Sequence, residues 1–271
     1  MTNDNDKKRI AVALGDFDGM HRAHKTVVTG ADNVIIYCVN NPFTLMQKSI
    51  FEKRFPNAVF ANFEQIKDMS GEEFIEKVLI DKFNAGIVLC GYNCCFGKKA
   101  SWSAFDMRRY LEDKDIWVRI LEHVDFDGEP ISSTRIRREI ACGEIERANE
   151  MLGYNFTFEA EVIKGDQRGR TIDFPTINQH YPSSLTDIKF GVYESITYVG
   201  GKAYKSFTNI GKRPTWQVEQ TLCETNIFDF SGDIYGETIR IELVRYLREE
   251  KKFSSIEELK KQLHYDKSSI I

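Results

Sequence analysis

Residues 168–178 read RGRTIDFPTIN: a Gly between two Arg, then a Phe-Pro pair, then Thr176 and Asn178 two positions apart. Arg168-Gly169-Arg170 makes a cationic turn, and because Gly169 has no Cβ, the backbone N–H groups around it can approach a phosphate. Pro175 fixes its own φ and drives Phe174 toward an extended backbone. Residues i and i+2 of an extended chain point to the same side, so the Thr176 hydroxyl and the Asn178 carboxamide project together. Two neutral oxygens beside a phosphate-friendly turn suit Mg²⁺, whose other ligands are then nucleotide phosphates and water. The same residues also fit a β-turn and an edge strand with incidental polar side chains.

Working outward, the segment that holds this stretch has a period of two. Phe158, Ala160 and Val162 alternate with Glu159 and Glu161, and Ile239, Ile241 and Leu243 alternate with Arg240 and Glu242. That alternation marks half-buried strands, and several of them with Gly-containing turns predict a mainly antiparallel β-barrel. A helix closes the chain: Ser254 or Ser255 caps it, Glu257 or Glu258 follows three on, and Ile256, Leu259 and Leu263 form an apolar stripe expected to pack in the core. Before Gly153 the period differs. Residues 10–14, 34–39 and 87–90 read as buried strands, while 71–82, 103–111, 135–141 and 144–152 carry helical spacing, with Gly143 as a stop between the last two. Strand–helix alternation predicts an α/β domain with a parallel sheet, so the expected organisation is an α/β domain over 1–153 and a barrel with a C-terminal helix over 154–271.

Composition sets outer bounds. The 271 residues are 42% hydrophobic and 29% charged, enough for a sizeable core in two modest domains or one large one. A net charge of −4 argues against nucleic acid as a partner, which would call for a basic surface. The start, MTNDNDKKR, lacks the apolar run of a signal peptide, and no stretch of about 18 apolar residues predicts a membrane span. Cys38, Cys90, Cys94, Cys95, Cys142 and Cys223 show no CxxC spacing and read as free thiols in a cytoplasmic protein. The five histidines form no zinc pattern.

Residues 15–24, GDFDGMHRAH, follow the first predicted strand and open a helix. His21 and His24 are three apart and share one helical face near its positive end, where imidazoles and backbone N–H groups suit a triphosphate. Gly15 and Gly19 let the backbone come close. Residues 131–137, ISSTRIR, place Ser132, Ser133, Thr134 and Arg137 at another helix start, which reads either as an ordinary cap or as a phosphate clamp. Residues 91–99, GYNCCFGKK, are not a Walker A loop: five residues separate the glycines rather than four, and Lys99 stands where Ser or Thr is required.

Residues 168–178 resemble the GRxLGFPTAN signature of riboflavin kinases. Later blocks continue that resemblance in order: FGVY (190–193), NIGKRPTW (209–216), ETNIFDF (224–230), DIYG (233–236) and LREEKKF (247–253). Residues 15–24 and 131–137 resemble the GxFDGxHxGH and ISSTxIR motifs of the nucleotidyltransferase half of bacterial FAD synthetases, and 91–97 stands where that family has GxDFxFG. The whole chain thus resembles a bifunctional riboflavin kinase/FAD synthetase.

The resemblance implies ATP-dependent phosphorylation of riboflavin to FMN in the C-terminal domain and adenylylation of FMN to FAD in the N-terminal one. It implies Glu224 as catalytic base, Thr176 and Asn178 on Mg²⁺, the 165–170 loop (Gly165, Gly169, Arg170) over the phosphates, and Arg248 on the flavin or ordering a flap; a structural salt bridge fits Arg248 equally. In the N-terminal domain it implies nucleotide contacts from Gly15, Phe17, Asp18, His21, His24, Asn93, Ser132, Ser133, Thr134 and Arg137. The chain departs from the pattern at Ala23 (usually Gly), Asn41 (His), Asn93 (an acid) and Cys95 (Arg), and in the kinase half at Asp173 (Gly), Ile177 (Ala) and Asn226 (His). Two alternatives stand beside the bifunctional reading: a kinase with a degenerate nucleotidyltransferase domain, and a flavin or nucleotide sensor without turnover.

Overall fold

The computed structural model describes residues 9–39, 43–165, 169, 172–214 and 219–270. Of the residues singled out above, Asn41, Arg168, Arg170, Thr215 and Trp216 lie outside them. The chain divides into two compact units, residues 1–43 with 48–132, and residues 44–47 with 133–271.

The first unit is built on five parallel strands, β1 (Ile10–Gly15), β2 (Val34–Cys38), β3 (Ala58–Phe60), β4 (Ala85–Gly91) and β7 (Trp117–Leu121), in the order β3-β2-β1-β4-β7. Two short antiparallel hairpins join them, β5 (Cys95–Phe96) with β6 (Trp102–Ser103) and β8 (Asp125–Phe126) with β9 (Glu129–Pro130). Its helices are α1 (Arg22–Val28), α2 (Lys48–Arg54), α3 (Phe63–Ile66), α4 (Gly71–Phe74) and α5 (Ala104–Leu111). The strand β1 is central and reads IAVALG because helices cover both faces of a parallel sheet, so it has no polar side to alternate with. α4 starts at a capping box, in which Ser70 and Glu73 exchange side-chain-to-backbone bonds, and continues as a π-helix over Ile75–Lys82. Phe74, Ile75, Val78 and Leu79, the helical stripe read from the sequence, are all buried in the core with Val12, Leu14 and Val88.

The second unit opens with α6 (Ser133–Cys142) and α7 (Ile145–Leu152), which therefore group with the residues that follow them. Gly143 and Gly153 hold φ of 86° and 73°, the left-handed geometry that ends each helix and that only glycine enters freely. Beyond lies a closed barrel of six antiparallel strands: β10 (Phe156–Ile163), β11 (Ile177–His180), β12 (Gly191–Val199), β13 (Lys202–Pro214), β14 (Glu219–Ile227) and β15 (Thr238–Arg248), ordered β10-β11-β14-β13-β12-β15. One face of strands β12, β13 and β14 carries a buried relay of hydroxyls, Thr197–Ser206–Ser195–Thr208–Thr225, joined by hydrogen bonds of 2.7–2.9 Å. Four bonds join the five hydroxyls, so the three interior ones, Ser206, Ser195 and Thr208, can each donate and accept within the relay. The intervening residues of these strands point to the opposite face, among them Asn209, Glu224 and Asn226.

The chain closes with α8 (Ile256–Ser268), capped by Ser255, whose hydroxyl accepts the Glu258 N–H. Leu263 packs against Phe174, Val192, Phe207, Phe228 and Ile270. Ile256 corrects the expected core stripe: it is 59% exposed. Helical side chains lean toward the N-terminus, so that of the first residue leans past the end of the helix rather than onto the barrel.

Candidate active site

The register of the barrel draws five distant residues into one belt. Asn178 on β11 stands opposite Glu224 on β14, Glu224 opposite Asn209 on β13, Asn209 opposite Val192 on β12, and Val192 opposite Arg248 on β15. All five line a cavity of about 270 Å³, with Gly169 and Thr176 at one side and Glu250, Lys251 and Phe253 at another. Phe174, Phe207, Leu259 and Leu263 give it apolar walls. Thr176, Asn178, Glu224, Gly169 and Arg248, all read from the sequence as site residues, thus share one cavity.

Asn178 is 5% exposed, and its Oδ1 has no hydrogen-bond partner among the described residues. A buried acceptor left unpaired costs about 1–3 kcal/mol, which a cation or a donor would relieve. Gly165 presses directly on this carboxamide: a Cβ there would stand 2.4 Å from Nδ2. An orphaned oxygen in a cradle that a Cβ would fill, beside the Thr176 hydroxyl, is a donor set that fits Mg²⁺. The Asn226 side chain, where the resemblance expects His, donates to the Pro175 carbonyl at 2.7 Å and pins the Pro-Thr turn to β14. Asp173 adopts φ of 63°, the left-handed region, which accounts for Gly being usual at this position. Its carboxylate points outward, 3.5 Å from Lys260 Nζ.

Arg248 reaches the cavity with its guanidinium already engaged. Nε and Nη2 fork onto the carboxylate of Asp266, at 3.1 and 2.7 Å, and Asp266 is 2% exposed. Asn209 donates from Nδ2 to Glu250 Oε1 at 3.1 Å. Neither Asn209 nor Glu250 was among the sequence candidates, although each lies in a quoted block, NIGKRPTW and LREEKKF. A second cavity of about 460 Å³ lies against Thr176, lined by Val162, Ile177, Ile227, Phe230, Ile234 and Tyr235. Thr176 is the residue common to both.

In the first unit the strand order changes direction between β1 and β4, and open α/β sheets bind ligands at the carboxyl ends of such a pair. Gly15 ends β1 and Gly91 ends β4, so residues 15–24 and the exposed Asn93 leave neighbouring strand ends. Phe17 and Gly19 have positive φ, and Phe17, Asp18 and His21 are buried. His21 precedes α1 rather than lying on it: its Nδ1 accepts the His24 N–H at 3.3 Å, and the two rings stack at 3.5 Å. An accepting Nδ1 leaves the proton of neutral His21 on Nε2. Burial lowers His21 to a pKa of about 3; burial and the neighbouring His21 push His24 well below its ordinary value. Both rings are therefore neutral at pH 7, and each carries one N–H donor. Ser132 closes the first unit, while Ser133, Thr134 and Arg137 begin the second on α6. Arg137 donates to the hydroxyls of Thr44 and Thr134, at 3.1 and 3.2 Å.

Residues 152–270 match the riboflavin kinase family model and residues 45–135 the FAD synthetase model. The bifunctional riboflavin kinase/FMN adenylyltransferase of Listeria monocytogenes is 30% identical over 94% of this chain and 89% of its own length. Its counterpart from Bacillus subtilis is 30% identical over 98% and 93%. Among solved structures, the crystal structure of a macrolide-efflux protein from Streptococcus pneumoniae superposes with a TM-score of 0.87 at 27% identity, covering 97% of this chain and 94% of that one. No helix among the described residues is long and apolar enough to cross a membrane. The chain belongs to the bifunctional riboflavin kinase/FMN adenylyltransferase family.

Proposed function

We infer that the chain converts riboflavin to FMN and FMN to FAD, with ATP as co-substrate of both steps, and that the first step runs in the barrel cavity at Glu224. The observation that carries the assignment of the site is the belt itself: one carboxylate flanked by two carboxamides, with a hydroxyl beside it and apolar walls above. The flat ring of riboflavin suits the wall of Phe174, Val192, Phe207 and Leu263, which leaves its ribityl chain to run along the belt. The aromatic and aliphatic second cavity, reached across Thr176, suits the adenine of ATP.

Glu224 takes the proton of the ribityl 5′-hydroxyl as that oxygen bonds to the γ-phosphorus, while the bond to the bridging oxygen of ADP breaks. Such a transfer depends on alignment and charge neutralisation more than on covalent help from the protein. Thr176 and Asn178 would hold Mg²⁺ by their side-chain oxygens, and Gly165 and Gly169 leave room for phosphate against the backbone. Mg²⁺, when bound, neutralises the charge that gathers on the transferring group. Arg248, oriented by Asp266, borders the flavin.

Adenylylation is assigned to residues 1–153, with Gly15, Phe17, Asp18, His21, His24 and Asn93 at the strand ends, and phosphorylation to residues 154–271. Neutral His21 and His24 serve there as N–H donors to phosphate oxygens. A need for ATP supports a cytoplasmic location. Incubation with riboflavin, ATP and Mg²⁺, followed by chromatographic separation of flavins, tests the reading: FMN and then FAD are expected. FMN alone would mark the first unit as inactive, and unchanged riboflavin would remove the kinase.

A further inference from the structure

We propose that Asn209 recognises the polyol of the flavin: its carboxamide oxygen accepts a hydrogen bond from a ribityl hydroxyl, and Glu250 holds the amide in the orientation this requires. The inference rests on riboflavin being phosphorylated at Glu224. Within the belt, Asn209 lies between Glu224 and Val192, that is, between the carboxylate and the apolar wall. A flavin with its ring on that wall and its terminal hydroxyl at Glu224 must carry its ribityl chain past Asn209.

The orientation of the amide follows from its partner. Glu250 is a carboxylate and only accepts, so the NH₂ end of Asn209 faces it, at 3.1 Å, and a flipped amide would set two oxygens against each other. Oδ1 is consequently turned away from Glu250, and it is buried with no hydrogen-bond partner among the described residues. The two strands flanking Glu224 thus each present an unpaired carboxamide oxygen, that of Asn178 and that of Asn209. The first fits a cation beside Thr176; the second stands on the side away from Thr176, where a hydroxyl donor is the complementary group. Gly211, two residues along β13, makes room for this arrangement, since a Cβ there would lie 2.2 Å from Glu250 Oε1. Asn209 is assigned as a substrate-contacting residue and Glu250 as a positioning residue.

The test compares full-length wild type with Asn209→Ala, Glu250→Ala and Glu250→Gln, using riboflavin turnover and the binding of lumiflavin, the same ring without the ribityl chain. Asn209→Ala is expected to raise the KM for riboflavin about tenfold, or about 1.4 kcal/mol, with kcat changed by less than about threefold and lumiflavin affinity unchanged. Glu250→Ala is expected to raise that KM about threefold, and Glu250→Gln, which keeps an acceptor oxygen for the Asn209 N–H, to restore it. An unchanged riboflavin KM in Asn209→Ala, or an equal loss of lumiflavin affinity, overturns the proposal. If Asn209→Ala does not fold, the Glu250 pair decides: a rise rescued by Gln supports the proposal and no rise in Glu250→Ala overturns it. Wild type that binds lumiflavin but makes no FMN would instead remove the kinase reading beneath.

Discussion

Asn178 and Glu224 face each other across the β11–β14 ladder, although 46 positions (224 − 178) separate them in the chain. Directly opposed side chains on antiparallel strands stand within about 5.5 Å at Cβ, so a cation bound at Asn178 would lie beside the carboxylate of Glu224. Asn178→Ala and Thr176→Val are therefore expected to raise the Mg²⁺ concentration for half-maximal FMN formation by about tenfold, the loss of one ligand each. Titration of Mg²⁺ at fixed ATP checks this; an unchanged midpoint in both variants would place the metal elsewhere.

Gly165 is expected to tolerate no side chain. A Cβ there would meet Asn178 Nδ2 at 2.4 Å, Cγ at 2.6 Å and Oδ1 at 2.8 Å, so alanine must push the carboxamide out of the belt. A displacement of about 1 Å at a site that works by alignment costs on the order of a hundredfold in rate. Gly165→Ala should lower kcat for FMN formation by that order, with adenylylation of supplied FMN as the internal control.

The Arg248–Asp266 pair ties β15 to α8, and its carboxylate is almost wholly buried. Removing one partner leaves the other charge desolvated, which typically costs about 3–5 kcal/mol. Asp266→Ala should destabilise the second unit by about that amount, discounted for the part-exposed guanidinium, and faster hydrogen exchange in α8 and β15 would report it. Unchanged protection would show that the pair is not a structural tie.

The stacked histidines give the first unit a pH dependence of definite sign. In the unfolded chain each imidazole titrates near 6.5, while burial lowers His21 to about 3 and His24 also falls well below its ordinary value. The unfolded state therefore binds more protons as pH falls below 6.5. The stability from keeping the rings neutral is complete above that value and is lost on acidification toward 3, at up to about 1.4 kcal/mol per pH unit for each ring. Thermal melts between pH 7 and 5 should show this slope, and His21→Asn together with His24→Asn should flatten it.

The fold was legible because both periods are strong where they occur: IAVALG has no polar face to alternate with, and residues 158–162 and 239–243 alternate apolar with charged side chains. Thr176, Asn178, Glu224 and Arg248 were legible through their motifs. Their convergence was not, because it depends on strand register, which sequence spacing does not carry. Asn209 and Glu250 were missed for the same reason: each is an unremarkable polar residue until β13 and the segment after β15 bring them to 3.1 Å. The Asp266 partner of Arg248 was hidden in a helix that reads as amphipathic and charged, where one more acid stands out in no way. His21 was expected on a helical face, yet it caps the helix, because residues 17–20 turn through three positive φ values before α1 begins.

The most direct test replaces Glu224 by Gln, which keeps the size of the side chain and removes its ability to take a proton. Wild type and Glu224→Gln are each given either riboflavin or FMN, with ATP and Mg²⁺, and the flavins are separated by chromatography. The expected result is loss of FMN formation from riboflavin by about a thousandfold or more, with FAD formed from supplied FMN at the wild-type rate. FMN produced from riboflavin by Glu224→Gln at a rate near that of wild type would contradict the account.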